Sequence, residues 1–303
     1  MSTEIALPPE WITGHLFEQA LGLGPGPLRS TDDAVSFTVP AAGKLMVDAS
    51  VRLLSLANQL SYIGKRVGIS FSASDSVTVG YLSRIGFFDG LDAKVHVSPS
   101  RPRESLARRY RGHNAGVVEI ARIQPGASDD DLPRRLSNSV LAAMKTNDRR
   151  DRLASMVYTL FGELMDNVYE HSGTPLDGFA VLQVYPKGNC VRIAVSDSGK
   201  GLIDTLRPSL AAHYPRLINH SDTQLLVEVF RQGLSRHGRG HGAGLQRCAS
   251  RAVEFGANLD VRLPISYVRI RAKAGAYQYA RAQVYDNCPL IWGTHIAFDI
   301  RLD

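Results

Sequence analysis

The sequence predicts an α/β fold divided into two domains. Strand-like and helix-like segments alternate from about residue 33 to residue 98, and a long helical stretch runs from Leu132 towards His171. Apolar residues then alternate through two strands at residues 178–196, which the turn PKGN joins. Strands that alternate with helices favour parallel neighbours, whereas strands joined by a tight turn favour a hairpin.

Two loops set the predicted domain boundaries. GLGPGPLRSTDD, residues 22–33, is rich in proline and glycine and is typical of a linker. QPGASDDDLP, residues 124–133, ends in an acidic cluster before Pro133, which is typical of a helix start. We therefore expect an N-terminal extension and linker at residues 1–32, a small α/β domain at 33–126 and a second domain at 127–303.

The small domain is expected to alternate strand, helix, strand, helix, strand. The segments are KLMVDAS, VRLLSLANQLSYIGK, RVGISFS, VTVGYLSRIGFFDGL and AKVHVS. The helical stretch from Leu132 is expected to break into two helices near KTNDRRD.

Composition excludes several classes of protein. With 44% hydrophobic and 21% charged residues the chain is typical of a globular protein. The opening segment has no signal-peptide pattern, and no apolar run approaches the roughly 18 residues that cross a bilayer, so we expect a cytoplasmic protein without a membrane partner. The net charge of +6 is densest at Arg101 to His113, which we interpret as a solvated basic face, so nucleic acid is not an expected partner.

One helix carries many polar groups close together. In FGELMDNVYEHSGTP, residues 161–175, apolar side chains recur at helical spacing and form one face. Glu163, Asn167, Glu170 and His171 share a neighbouring face. Taken alone, this face fits either a solvated ionic stripe or a binding site.

Two glycine-rich segments follow this helix. A strand runs into Asp197, Gly199 and Gly201, where a carboxylate can accept hydrogen bonds beside a backbone that a flat ligand can approach closely. Glycines at positions 238, 240, 242 and 244 then precede a helix that begins near Leu245. Backbone N–H groups ahead of a helix favour a phosphate, and a flexible surface loop fits this segment equally.

The order of these motifs resembles the GHKL ATPase superfamily, which includes gyrase B, histidine kinases and mismatch-repair ATPases. The likeness covers residues from about 150 to 303. It implies a two-layer α+β sandwich, in which helices cover one face of a mixed sheet. The matching positions are Glu163 and Asn167 in the first box; Asp197, Gly199 and Gly201 in the second; Gly242, Gly244 and Leu245 in the third; and Gly293-Thr294 at the start of the last strand.

The resemblance implies a chemical role for four of these positions, with ATP and Mg²⁺ as cofactors. Asn167 would offer its side-chain oxygen to Mg²⁺, a cation that prefers oxygen ligands. Glu163 would orient or deprotonate the attacking water or hydroxyl group. Asp197 would accept a hydrogen bond from the adenine amine, and Thr294 would support that contact.

The remaining motif positions would hold the nucleotide in place. Gly199 and Gly201 would let the adenine ring lie close to the backbone. The segment SDTQLLVEVFRQGLSRHGRG would form a mobile lid. The phosphates would be wrapped by Gly240, Gly242 and Gly244, followed by Leu245.

Missing features narrow the likeness within the superfamily. No segment ahead of Glu163 has the acceptor-histidine pattern of sensor kinases, and the chain stops at Asp303, so we expect no transducer domain of the clamp type. The remaining likeness is to anti-sigma-factor serine kinases, whose partners are STAS-domain proteins. A protein partner of the STAS or sigma-regulatory type is therefore expected, and a homodimer is left open.

The first domain has a likeness of its own. KLMVDASVRLLSLANQL resembles the STAS segment in which a strand ends in D-S-S-G and a helix begins, with Asp48, Ala49 and Ser50 at the first three positions. The resemblance predicts a STAS-like α/β domain at 33–126 and makes Ser50 a candidate phospho-acceptor. A serine at this position also fits the N-cap of the following helix.

Two functions fit these features best, and a third, weaker alternative is a nucleic-acid-associated ATPase that uses the basic segment from Arg101 to Arg111. The first is a cytosolic, Mg²⁺-dependent ATPase or serine/threonine protein kinase in regulatory signalling, with Glu163 as the catalytic residue. The second is a non-catalytic switch, in which ATP binding orders the lid and changes how the STAS-like face meets a partner.

Overall fold

The computed structural model describes residues 1–22, 26–73, 75–110, 117–125, 129–144, 148–171, 173–238, 243–272 and 275–302. Within these residues the strands form a four-stranded sheet, a seven-stranded sheet and a two-stranded bridge. The strands are β1 (Ser2–Ala6), β2 (Trp11–Ile12), β3 (Ala34–Val39), β4 (Lys44–Leu45), β5 (Arg66–Phe71), β6 (His96–Ser98), β7 (Val117–Ile123), β8 (Gly178–Tyr185), β9 (Cys190–Ser196), β10 (Asn258–Leu263), β11 (Ser266–Arg271), β12 (Ala282–Asp286) and β13 (His295–Arg301).

The helices surround and separate these sheets. They are α1 (Gly14–Leu21), α2 (Gly26–Arg29), α3 (Val47–Tyr62), α4 (Ser76–Arg84), α5 (Phe87–Gly90), α6 (Leu106–Tyr110), α7 (Leu132–Ala143), α8 (Asp148–His171), α9 (Leu202–Leu206), α10 (Leu210–His213), α11 (Asp222–Gln232) and α12 (Ala243–Glu254). In the described part of the chain, none of them has the length and hydropathy to span a bilayer.

The smaller sheet is parallel throughout. Its strand order is β1-β3-β5-β6, and each neighbouring pair runs parallel. Alternate residues of β3 and β5 are buried, among them Phe37 and Ile69, because successive side chains of a strand point to opposite faces. The α/β layer with parallel neighbours that the sequence predicted here is therefore present.

The larger sheet is antiparallel in every described pair. Its order is β12-β11-β10-β13-β9-β8-β7. The predicted sandwich is confirmed, but the predicted mixed sheet is not what the described strands form. The short connections between β8 and β9 and between β10 and β11 account for two of these pairs, because strands joined by tight turns must run in opposite directions.

Helices cover both faces of the larger sheet. On one face α7, α8, α11 and α12 enclose a core that includes Phe161, Leu182 and Phe298. On the other face α3 packs against β8 and β9, where Phe179 and Val181 join the core of the smaller sheet. The sheet is thus covered on a second face, where the resemblance predicted only one.

The first 32 residues are part of the folded core, although they were predicted to be an extension and linker. Strand β1 forms the edge of the parallel sheet beside β3. Glu18 of α1 is only 7% exposed and forms ion pairs with Arg52 at 3.1 Å and Arg262 at 2.7 Å. These contacts involve residues far apart in sequence, so the local composition of the segment could not reveal them.

The predicted boundary near residue 126 also differs from the described structure. Strand β7 lies before that boundary, yet it pairs with β8 and forms an edge of the larger sheet. The boundary was placed at the loop after β7, but β7 belongs to the same sheet as the strands that follow this loop.

Ser50 does not occupy the position that the STAS likeness gave it. Helix α3 begins at Val47 with Met46 as its N-cap, so Ser50 lies inside the first turn. Its side chain is 0% exposed, and its hydroxyl has no hydrogen-bond partner in the described structure. A kinase cannot reach this hydroxyl in the folded chain, so the structure argues against both the phospho-acceptor and the N-cap interpretations.

Replacing Glu18 is expected to destabilise the fold strongly. Glu18→Gln leaves the buried guanidinium groups of Arg52 and Arg262 without a carboxylate, which costs about 3 kcal/mol in the free energy of unfolding. Urea unfolding measures this change, and Glu4→Gln, an exposed position on β1, is the control. A loss no larger than that of the control would show that the buried ion pairs do not hold α1 in place.

Candidate functional site

A cleft lies between helices α8 and α12 and the adjoining ends of β9 and β13. Its space, counted out into open solvent, is about 480 Å³. Five of the residues predicted for nucleotide binding line it, namely Asn167, Asp197, Gly201, Leu245 and Thr294. The cleft therefore brings together positions that are spread over more than a hundred residues of sequence.

Asp197 lies at the end of β9 and is held by two backbone N–H groups. Its Oδ1 accepts from the N–H of Gly199 at 2.7 Å, and its Oδ2 accepts from the N–H of Thr294 at 3.1 Å. Protein atoms surround the carboxylate, and this burial raises its pKa to about 6, against the opposing effect of the two N–H donors. The carboxylate is thus fixed in direction and titrates near neutral pH.

The start of β13 depends on a glycine that touches Asp197. Gly293 has φ +89, and a Cβ at this position would lie 2.2 Å from the backbone oxygen of Asp197. The next residue, Thr294, accepts from the N–H of Leu202 through its hydroxyl at 2.8 Å. Gly201, which precedes α9, also has a positive φ, of +94. Only glycine combines this conformation with such a close approach.

Asn167 presents an oxygen to the cleft because its nitrogen is already used. Its Nδ2 donates to the backbone oxygen of Glu163 at 2.6 Å, one helical turn earlier. Its side-chain oxygen has no hydrogen bond to another described residue, so it can act as a ligand for a hard cation such as Mg²⁺, as the predicted role requires. Among the described residues no group of three or more His, Cys, Asp and Glu side chains could hold a metal, so Mg²⁺ here would depend on phosphate and water ligands as well.

Glu163 lies above the N-terminus of α12. Its carboxylate pairs with Arg247 at 2.9 Å, and a Cβ at Gly244 would lie 1.6 Å from its Oε2. The Arg247 side chain is 63% exposed, so the pair contributes little to stability, about 0–1 kcal/mol. The carboxylate can therefore leave Arg247 at small cost when another partner is present.

The glycine segment is only partly described. Gly240 and Gly242 lie outside the described residues. Gly244 and Leu245 lie in the first turn of α12, and Leu245 lines the cleft. Gly199 is placed beside the cleft, where its N–H fixes Asp197.

Sequence reasoning missed the remaining walls of the cleft. Leu164 and Val168 were assigned to the apolar face of α8, and that face extends into the cleft. Leu202 and Thr205 of α9 carried no sequence signal. The full set of unpredicted lining residues is Leu164, Val168, Val195, Leu202, Thr205 and Ile296. The apolar side chains among them can pack against a flat ring whose polar edge meets the carboxylate of Asp197.

Much of the segment that was predicted to be a mobile lid is a packed helix. Residues 222–232 form α11, which starts with a capping box between Ser221 and Gln224 and ends at Gly233. Leu225, Leu226 and Phe230 of this helix are buried in the core beside α12. A helix that buries such side chains cannot move without exposing apolar surface.

Replacing Gly293 is expected to disrupt the site more than replacing Gly162. Gly293→Ala forces a Cβ into the backbone of Asp197 at a positive φ, so we expect a loss of about 2 kcal/mol or more in the free energy of unfolding. A Cβ added at Gly162, next to Glu163 in α8, would have no other atom within 4 Å, and Gly162→Ala should be neutral or stabilising. Thermal unfolding compares the two, and equal stability would contradict the close contact at Gly293.

Comparison with known proteins agrees with this geometry. Residues 153–291 match the family described as histidine kinase-, DNA gyrase B-, and HSP90-like ATPase. A search of curated proteins gave no match. The matched residues begin in α8, contain Glu163, Asn167 and Asp197, and end just before Gly293. Residues 153–291, which are less than half of the chain, are therefore similar to the ATPase domain of the histidine kinase-, DNA gyrase B- and HSP90-like family.

Proposed function

We propose that this protein is a Mg²⁺-dependent regulatory ATPase or serine/threonine protein kinase that binds ATP in the cleft between α8 and α12. The observation that carries the proposal is the fixed carboxylate of Asp197 in the same cleft as the side-chain oxygen of Asn167. Around them the cleft has apolar walls, as expected for a site that takes an adenine ring.

The adenine end of the site would lie at Asp197. The carboxylate of Asp197 would accept from the exocyclic amine, and the ring would lie between the apolar side chains of α8 and those of β9 and β13. Thr294 supports this contact from two sides, since its N–H holds Asp197 and its hydroxyl holds the start of α9. Because both strands fix the carboxylate before ATP arrives, little reorganisation is needed on binding.

The phosphate end contains the groups for catalysis. Asn167 would hold Mg²⁺, which neutralises charge on the phosphates when bound. Glu163, one turn away on α8, would orient or deprotonate the attacking water or hydroxyl group once it leaves Arg247. Arg247 would then be free to pair with phosphate oxygens.

We place the chain, within this proposal, closest to the anti-sigma-factor serine kinases. The support is the motif order in the sequence and the parallel α/β layer that precedes the ATPase domain. On this basis the protein is cytoplasmic, and its partner is a protein of the STAS or sigma-regulatory type that meets the STAS-like N-terminal part. Burial of Ser50 means that such regulation does not pass through phosphorylation of that residue.

A second candidate is a non-catalytic switch. It is favoured by the ion pair between Glu163 and Arg247, which engages the carboxylate that a catalytic reaction needs. If this pair persists with ATP bound, the chain binds nucleotide without turning it over, and binding alone changes how it meets a partner.

Substitutions at Asn167 and Glu163 separate these functions. We expect Glu163→Gln to lower phosphate release or protein labelling from radiolabelled ATP by about 100-fold or more, with little change in ATP affinity, because it removes a proton acceptor from a site that still binds. Asn167→Ala should weaken Mg²⁺-ATP binding itself. Gly162→Ala on the same helix is the control.

The outcomes of these assays are distinct. If the unmodified protein binds ATP tightly and neither it nor any variant turns ATP over, the switch is favoured. Absence of ATP binding by the unmodified protein would reject both functions.

ATP affinity is expected to fall as the pH is lowered through 6. The pKa of Asp197 is raised to about 6, and the ionised carboxylate accepts more strongly from the adenine amine than the protonated carboxyl does, so binding weaker by up to about tenfold is expected at pH 5 than at pH 7.5. Isothermal titration calorimetry across this range measures the change. Asp197→Asn should bind weakly at all pH values with a flatter profile. The prediction fails if this variant keeps the full pH dependence, since the terminal phosphate of ATP would then explain it.

A further inference from the structure

The side-chain amide of Gln59 connects α3 to both strand ends of the ATP site. Gln59 is 0% exposed. Its Nε2 donates to the hydroxyl of Ser198 at 2.9 Å and to the backbone oxygen of Trp292 at 3.0 Å, and its Oε1 accepts from the N–H of Trp292 at 2.9 Å. Three of the four hydrogen bonds that a glutamine amide can make are therefore directed at the larger sheet.

The partners of Gln59 lie next to the residues that would hold adenine. Ser198 directly follows Asp197, and Trp292 precedes Gly293 and Thr294. Successive residues of an extended chain point to opposite sides. Asp197 and Thr294 consequently face the cleft, while Ser198 on the first of these segments faces α3.

A second hydrogen-bonded chain repeats this arrangement one turn earlier on α3. The hydroxyl of Ser55 lies 2.9 Å from that of Ser196, which is also hydrogen-bonded to Nδ1 of His295. Burial and nearby arginines hold the pKa of His295 well below its usual range, so the ring is neutral. Asp197 and Thr294 each have a neighbour that is bonded into this buried chain.

We propose that Gln59 is a positioning residue for the ATP site, and that α3 thereby couples the N-terminal sheet to ATP affinity. Gln59 ties the segment carrying Asp197 to the segment carrying Thr294, beside the backbone hydrogen bond from the N–H of Asp197 to the oxygen of Thr294 at 3.1 Å. The contact between Gly293 and Asp197 and the hydrogen bond from Thr294 to Asp197 both depend on the distance between these two segments. The coupling to ATP rests on the proposed function, whereas the positioning of Asp197 does not.

The coupling acts in both directions. A nucleotide that holds Asp197 and Thr294 in place also stabilises the bonds to Gln59, by thermodynamic reciprocity. A partner that shifts α3 through the N-terminal sheet would change ATP affinity in the same way, without touching the cleft.

The test replaces Gln59 and, separately, its neighbour on the same helix. Gln59→Met keeps the volume of the side chain and removes its hydrogen bonds. Asn58→Ala is the matched control, because the amide of Asn58 bonds to the oxygen of Gly90 at 3.0 Å and the N–H of Asp92 at 2.8 Å, away from the cleft. Two quantities are measured on the full chain, namely the dissociation constant for ATP and the hydrogen-exchange rates of the Gly199 and Thr294 amides without ATP.

We expect Gln59→Met to raise the dissociation constant by about tenfold and to speed exchange at both amides, while Asn58→Ala changes neither, even if it lowers the unfolding temperature. Ser198→Ala removes the acceptor of one of the three hydrogen bonds of Gln59. It should also raise the dissociation constant for ATP, by about threefold, and speed exchange at both amides. This variant decides the question if Gln59→Met does not fold.

Other results would overturn the proposal. Unchanged amide exchange in Gln59→Met and Ser198→Ala would show that Gln59 does not position Asp197. Equal effects of the Gln59 and Asn58 variants would show a general loss of stability instead. If the unmodified protein binds no ATP, the proposed function and the coupling both fail, and the exchange rates alone then decide whether Gln59 positions Asp197.

Discussion

The burial of helix α3 between the two sheets is the constraint on which the rest of the structure depends. Its apolar side chains join the core of the parallel sheet, and Ser55 and Gln59 are hydrogen-bonded to residues at the end of β9 and ahead of β13. Asp48 also pairs with Arg192 of β9 at 3.2 Å. Burial raises the pKa of Asp48, but the charge of Arg192 and the hydrogen bond from the N–H of Gly14 outweigh burial, so the pKa is lowered overall. Each such group would cost about 1–3 kcal/mol if it were buried without a partner, so the helix fits in one orientation.

This constraint explains why residues of the N-terminal half contact the segments that form the proposed ATP site. The larger sheet has helices α8 and α12 on one face and α3 on the other, and each strand alternates its side chains between the two. The cleft lies at the ends of β9 and β13. A residue that lines it, such as Asp197, is therefore followed by a residue that contacts α3, such as Ser198. Burial of Ser50 has the same cause, because α3 is enclosed from its first turn.

The motifs were predictable because their spacing is local. The interval between Glu163 and Asn167 is one helical turn, and Asp197 and Gly201 share one short turn, so their order in the sequence indicated one site. Five predicted residues do line the cleft. The pairing of Glu163 with Arg247 was not predictable, because these two residues lie on different helices and are 84 positions apart in the sequence. The role of Thr205 was hidden because α9 has no motif.

The sequence by itself indicated helices α8 and α12 and strands β9 and β13, the type of residue at each motif position and, through the order of the motifs, the similarity of residues 153–291 to the ATPase family. Local spacing and backbone preference carry that information. Only the tertiary structure decided that residues 1–32 belong to the core, that β7 joins the larger sheet, and that Gln59 holds the ends of the site. Those contacts join segments separated by up to 244 positions, and long-range packing, not local periodicity, selects them.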